Sequence, residues 1–206
     1  GVVNGLIISV RKINDFIVTL GMLSIAAGTA LVLSNGRPVQ IINSGLANVA
    51  INEKFGVPYL MYIAFAIVLF SHFLLFHTRF GVHLLAVGGD PDSARAMGVS
   101  IVKIKVAVYG ISGLLAGFAA TLAIARIGAA EPAANTAILL NSVAAVVLGG
   151  VSLFGGRATI FGPFVATLLL QALSNGLTII GVASYYQYIS VGIVVILSAS
   201  LVRNVR

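Results

Sequence analysis

The side chains best placed for chemistry in this chain are polar groups inside long apolar runs: Asn141 with Ser142, and Gln171 with Asn175. The last two stand four residues apart and share a helical face with Leu168 and Thr178. Amides and hydroxyls in such a setting offer hydrogen bonds rather than acid–base or nucleophilic chemistry. They suit the lining of a route for a polar solute, or equally hydrogen-bond glue between helices, and the sequence leaves both readings open. His72, His77 and His83 are spaced so that no pair shares a helical face as a metal site would require. The five acidic residues all fall near the ends of apolar runs. No carboxylate pair or nucleophile–base constellation emerges, and without cysteine there is no thiol nucleophile and no cysteine metal site. Neither a phosphate loop nor a dinucleotide fingerprint occurs, so no catalytic residue is assigned and nucleotide chemistry has to belong to a partner. The glycine-rich Gly149–Arg157 lacks the lysine and strand of a phosphate site and reads as a tight cytoplasmic turn.

Positioning these groups falls to elements that water cannot solvate. Of the 206 residues, 59% are hydrophobic and only 8% charged, against about 25% charged in soluble domains. The fold class that follows is all-α, a polytopic integral membrane helical bundle. Its 23 glycines and absent tryptophan suit helices whose backbones approach closely. The net charge of +7 reads as basic cytoplasmic loops rather than a nucleic-acid surface, since no aromatic–basic patch accompanies it. There is no initiating methionine, and Gly1–Val10 reads as the end of an apolar helix. The chain is therefore expected to be a fragment, one transmembrane domain over 1–206 with a cytoplasmic loop at about 77–105.

A span of the hydrocarbon core needs roughly 20 apolar residues. The charge-free intervals predict six: Phe16–Ser34, Pro58–Phe76, Val106–Ala125, a short Ile138–Leu153, Ile160–Ile180 and Tyr185–Val202, the last two joined at Gly181–Ser184. Alternation places Arg11, Lys12, Arg79, Arg95, Lys103, Lys105, Arg157, Arg203 and Arg206 on one side, and Arg37, Lys54 and Arg126 on the other. The basic excess marks the first side, with the C-terminus, as cytoplasmic. A re-entrant fourth span would reverse the last two. In the third span Gly110, Gly113 and Gly117 offer a smooth face for helix packing.

Between the second and third spans lies a polar island, Val87–Lys105. Gly88 and Gly89 are expected to break the preceding run. Asp90 suits an N-cap, Pro91 the first helical position, Asp92 the positive end of the helix dipole and Gly98 a C-terminal stop. A helix of roughly two turns fits between them.

The chain resembles the permease subunit of bacterial ribose-type monosaccharide ABC importers, the binding-protein-dependent inner-membrane components. Four stretches carry the likeness: Phe16–Ser24 with Asn35–Pro38, Arg79–Lys105, Ser112–Gly117 and Ala144–Arg157. They keep the family's order across nearly the whole chain, and the family's extra length corresponds to N-terminal transmembrane helices. The resemblance implies a dimer of permeases, a cytoplasmic ATPase pair that binds ATP and magnesium, and a periplasmic sugar-binding protein. Gly88, Asp92, Ala94, Arg95 and Gly98 match the family's ATPase-coupling segment. Two departures remove membrane charge: Ala27 stands where the family commonly has arginine, and Asn141–Ser142 where it has an acidic residue.

The function these features imply is a permease, itself not an enzyme, moving a ribose-like monosaccharide inward by alternating access. Competing readings are a branched amino acid or nucleoside as cargo, a secondary transporter, which would need an intramembrane carboxylate, and a membrane scaffold for which Gln171 and Asn175 are only glue.

Overall fold

In an apolar medium each backbone N–H and C=O has to be satisfied within the protein, so long charge-free runs fold as helices. The computed structural model describes residues 1–40, 45, 50, 52–132, 136–152, 155–183, 186, 189–190 and 192–194. The helices are α1 (Val2–Arg11), α2 (Asp15–Ser34), α3 (Tyr59–Phe76), α4 (Arg79–Gly89), α5 (Pro91–Ala96), α6 (Ile101–Ile127), α7 (Thr136–Leu148) and α8 (Phe161–Ile179). Two-residue strands β1 (Val39–Gln40), β2 (Glu53–Lys54), β3 (Val57–Pro58) and β4 (Ala129–Ala130) lie between them.

Helices α2, α3, α6 and α8 are long and apolar enough to cross a membrane. They fall on four of the expected spans. The third is longer than expected, because α6 continues through Lys103, Lys105 and Arg126 until Gly128, at φ 77°, closes it with its N–H on the Ile124 carbonyl. The fourth is shorter: α7 has 13 residues, about 20 Å of rise against a hydrocarbon core of about 30 Å. It stops at Leu148 because Gly150 turns left-handed, its N–H on Val147 O and that of Val151 on Val146 O. The expected sixth span lies largely outside the described residues, and Arg203 and Arg206 wholly so.

That ending recurs. At Gly98–Val99 and Gly181–Val182, as at Gly150–Val151, a left-handed glycine and the next valine return two hydrogen bonds to the last turn. Asn35 and Gly36 do the same after α2.

The chain forms two compact units. In the first, Gly1–Ile67 with Asp92–Ala134, α1 runs antiparallel against α6. A Cβ on Gly5 would lie 2.7 Å from the Val106 Cα, and one on Gly113 2.8 Å from the Gly1 Cα. Strand β1 pairs antiparallel with β4, Val39 opposite Ala130, so the segments that follow α2 and α6 meet at one end. In the second unit, Val68–Pro91 with Asn135–Arg206, α7 packs on α8 through Ala144, Ala145, Ala166 and Leu170. At the crossing a Cβ on Gly149 would run into the backbone of Gly162 and Pro163.

Burial is inverted relative to a soluble domain. Among the described residues half of the buried apolar side chains are alanine, whereas Leu33 is 80% and Ile179 86% exposed. Many large side chains face the surroundings and alanine supplies much of the contact between helices, the arrangement expected where lipid is as apolar as the interior.

Glycine positions in contact should therefore be intolerant of volume, and open ones indifferent. Gly5→Leu is expected to lower the unfolding midpoint in detergent by roughly 5 °C or more, as overpacking does. Gly21→Leu, whose Cβ meets nothing within 4 Å, should leave it unchanged. Equal shifts in the two variants would contradict the packing described here.

Candidate functional site

Helix α5 is short, charged and sharply bounded. Pro91 occupies the first position, where no intrahelical N–H bond is lost, and Asp92 sits in the first turn. Asp92 and Arg95 approach to 3.4 Å on the exposed side, a contact worth only a few tenths of a kcal/mol in solvent. Ala94 is 0% exposed, so the helix is seated through this small side chain and presents its charges outward. Gly98, at φ 82°, donates its N–H to Arg95 O at 2.9 Å, and Val99 donates to Ala94 O at 3.0 Å. Only residues 97–100 then separate α5 from α6.

Gly88 lies elsewhere. Gly88 and Gly89 end the preceding run as its last two helical residues, and Asp90 closes α4 with its N–H on Ala86 O. Their role is close approach. A Cβ on Gly155 would run into the Gly88 carbonyl, and one on Gly156 would lie 3.1 Å from the Gly89 Cα. Gly155 and Gly156 both hold positive φ, at 89° and 75°, which an ordinary side chain would resist. The expected glycine-rich turn is thus a turn, stitched by Gly155 N–H on Ser152 O, by Ser152 N–H on Arg157 O, and by the Thr159 hydroxyl donating to Gly149 O at 3.0 Å. Leu153 and Phe154 lie outside the described residues.

The candidate path residues are not gathered into one cluster. Gln171 Nε2 donates to Asn175 Oδ1 at 3.5 Å, and helical spacing turns both, with Leu168 and Thr178, away from the Ala166–Leu170 stripe that meets α7. Asn141 falls on the α7 stripe of Ala144, Ala145 and Leu148 and is exposed, while the Ser142 hydroxyl donates to Ile138 O at 2.7 Å. Of the packing glycines, Gly113 meets Gly1 and Gly110 meets Val2, but Gly117 has nothing within 4 Å. His72 lies between Phe76 and Phe161, with ring centroids 4.8 Å from each, and His77 stacks on Phe73. Among the described residues no three metal-capable side chains come together.

One constellation escapes sequence reading. Lys105 Nζ donates to both carboxylate oxygens of Asp15 at 3.0 Å, and the Tyr109 hydroxyl donates to Asp15 Oδ2 at 3.1 Å. The residues are 90 and 94 positions apart, beyond any local spacing. The available clue is that Asp15 and Lys105 each border an expected span on the same side.

The family described as branched-chain amino acid transport system / permease component matches residues 1–199. The ribose import permease protein of Escherichia coli (strain K12) is 41% identical over 211 residues, covering 99% of this chain and 64% of that protein. Its counterpart in Bacillus subtilis (strain 168) is 36% identical, covering 98% and 63%. The L-arabinose ABC transporter permease protein of Azospirillum brasilense is 34% identical, covering 96% and 58%. The chain thus spans less than two thirds of the length of these relatives. No solved structure matches it.

The loop against Gly88 yields a local prediction. Gly155→Val combines a left-handed backbone with a clash, and a strain cost of roughly 1–2 kcal/mol should open the loop about tenfold more often. Limited trypsin cleavage after the exposed Arg157 should accelerate accordingly. Gly117→Val, in open space, should digest like the parent protein.

Proposed function

The chain belongs to the branched-chain amino acid transport system / permease component family, and on that premise we propose that it serves as the permease subunit of an ABC importer. The cargo in this reading is a ribose-like monosaccharide carried inward across the bacterial inner membrane. Relatives whose names specify ribose, L-arabinose and D-allose support that choice. The family's description names branched-chain amino acids, which makes them the second cargo to test.

The observation that carries the reading is α5. It is a short charged helix between apolar ones, seated through Ala94 and cut off by Gly98. The excess of arginine and lysine on its side of the spans supports a cytoplasmic position for it and for the C-terminus. There Asp92 and Arg95 are available to a cytoplasmic ATPase, which holds the ATP and magnesium that this chain has no motif to bind. Closure of the ATPase pair displaces α5, and the two rigid arrangements of the attached helices open the pathway to alternate sides. A second permease copy and a periplasmic sugar-binding protein complete the assembly. Asn141, Ser142, Gln171 and Asn175 remain the groups offered to the solute as it crosses, with Gly88 supporting the coupling segment through its contact with Gly155.

In vesicles containing the permease, its ATPase and the binding protein, ribose should stimulate ATP hydrolysis and leucine should not. Asp92→Arg or Gly98→Arg should abolish that stimulation while membrane insertion remains normal. Unchanged stimulation in both variants would count against coupling through α5, and stimulation by leucine alone would reassign the cargo. Uptake that persists without any ATPase but collapses with the ion gradient would replace the reading by a secondary transporter.

A further inference from the structure

Asp15, Lys105 and Tyr109 are unexplained by packing or by the solute path. Asp15 is the first residue of α2, and Lys105 and Tyr109 lie in the opening turns of α6. The carboxylate accepts three hydrogen bonds, two from Lys105 and one from the Tyr109 hydroxyl. The Asn14 side chain accepts from the Phe16 N–H beside it, so the start of α2 is capped as well as tied. Exposure falls to 32% for the Lys105 side chain and 46% for Asp15. Helix α2 buries none of its own residues, so this tie holds α2 to α6 by direction rather than by area.

We propose that Asp15, Lys105 and Tyr109 are positioning residues that carry displacement of α5 into α2. The inference rests on the reading of α5 as the coupling helix and deepens it. Within the first unit α5 ends in the Gly98–Val99 turn, and Ser100 O already accepts the first α6 bond, from Ile104 N–H. Lys105 follows one residue later. Any shift of α5 therefore reaches Lys105 through a few backbone-bonded residues, with little slack to absorb it. Separating Lys105 from Asp15 at the edge of a membrane would leave two charges poorly solvated, so the pair holds and α2 follows. Pairing of β1 with β4 binds the segments beyond the far ends of the same two helices, so α2 and α6 are held at both ends.

The test uses the complete transporter in vesicles with Asp15→Asn, Lys105→Met and the charge-exchanged Asp15→Lys/Lys105→Asp. The readout is sugar imported per ATP hydrolysed, which a purely structural contact would leave unmoved. Each single variant should assemble with the ATPase and hydrolyse ATP, but import about fivefold less sugar per ATP or worse, the low end of ordinary coupling between sites. The exchanged pair should recover most of the loss. Tyr109→Phe should give a smaller loss, because it removes one of three hydrogen bonds. Single variants with the parental ratio, or an exchanged pair no better than the singles, would overturn the relay alone. Absence of ATP-driven sugar uptake in the parent transporter would overturn the function proposed above, and the relay with it. Unfolding of the isolated permease in detergent gives a separate check on the contact itself: a double-mutant cycle with no favourable coupling between positions 15 and 105 would remove the tie on which the relay depends.

Discussion

Backbone-to-backbone approach at glycine and alanine is the contact on which this protein depends. Lipid removes most of the hydrophobic drive between helices, so cohesion has to come from dispersion and from hydrogen bonds at short range. Gly5 against Val106, Gly113 against Gly1, and Gly149 against Gly162 each bring main chains closer than a Cβ would permit. The Ala144, Ala145 and Ala166 layer extends the same logic along α7 and α8. Large residues such as Leu33 and Ile179 are left for the surroundings.

Helices packed in this way need clean ends, since an unsatisfied carbonyl is costly near hydrocarbon. The Gly–Val turns after α5, α7 and α8 meet that need with the same two backbone bonds. Their sharpness keeps α5 a separate helix, with only residues 97–100 between it and α6. It also frees the Gly155–Gly156 turn to lie against the end of α4.

Much of the architecture was legible in the sequence. Four spans were readable because a run of twenty apolar residues has one economical fold in lipid. Gly98 was readable as a helix stop because left-handed backbone favours glycine. Elsewhere the structure adds what local reading leaves out. Gly88 and Gly89 end α4 as expected, and their backbones also lie against Gly155 and Gly156. The third helix is longer than the charge-free interval Val106–Ala125, because the α6 hydrogen-bond ladder runs on through Lys103 and Lys105. The G-x-x-x-G of α6 is used at Gly113, where the Gly1 backbone approaches it.

By itself, the sequence determined the membrane class, the placing of the long helices and the chemical character of α5, because composition, run length and turn chemistry are properties of neighbouring residues. Only the tertiary structure decided which glycine met which backbone, that Gln171 and Asn175 turn away from α7, and that Asp15 reaches Lys105 and Tyr109. Those contacts join residues far apart in the chain, and their partners are selected by the three-dimensional course of the helices, which no spacing along one segment encodes.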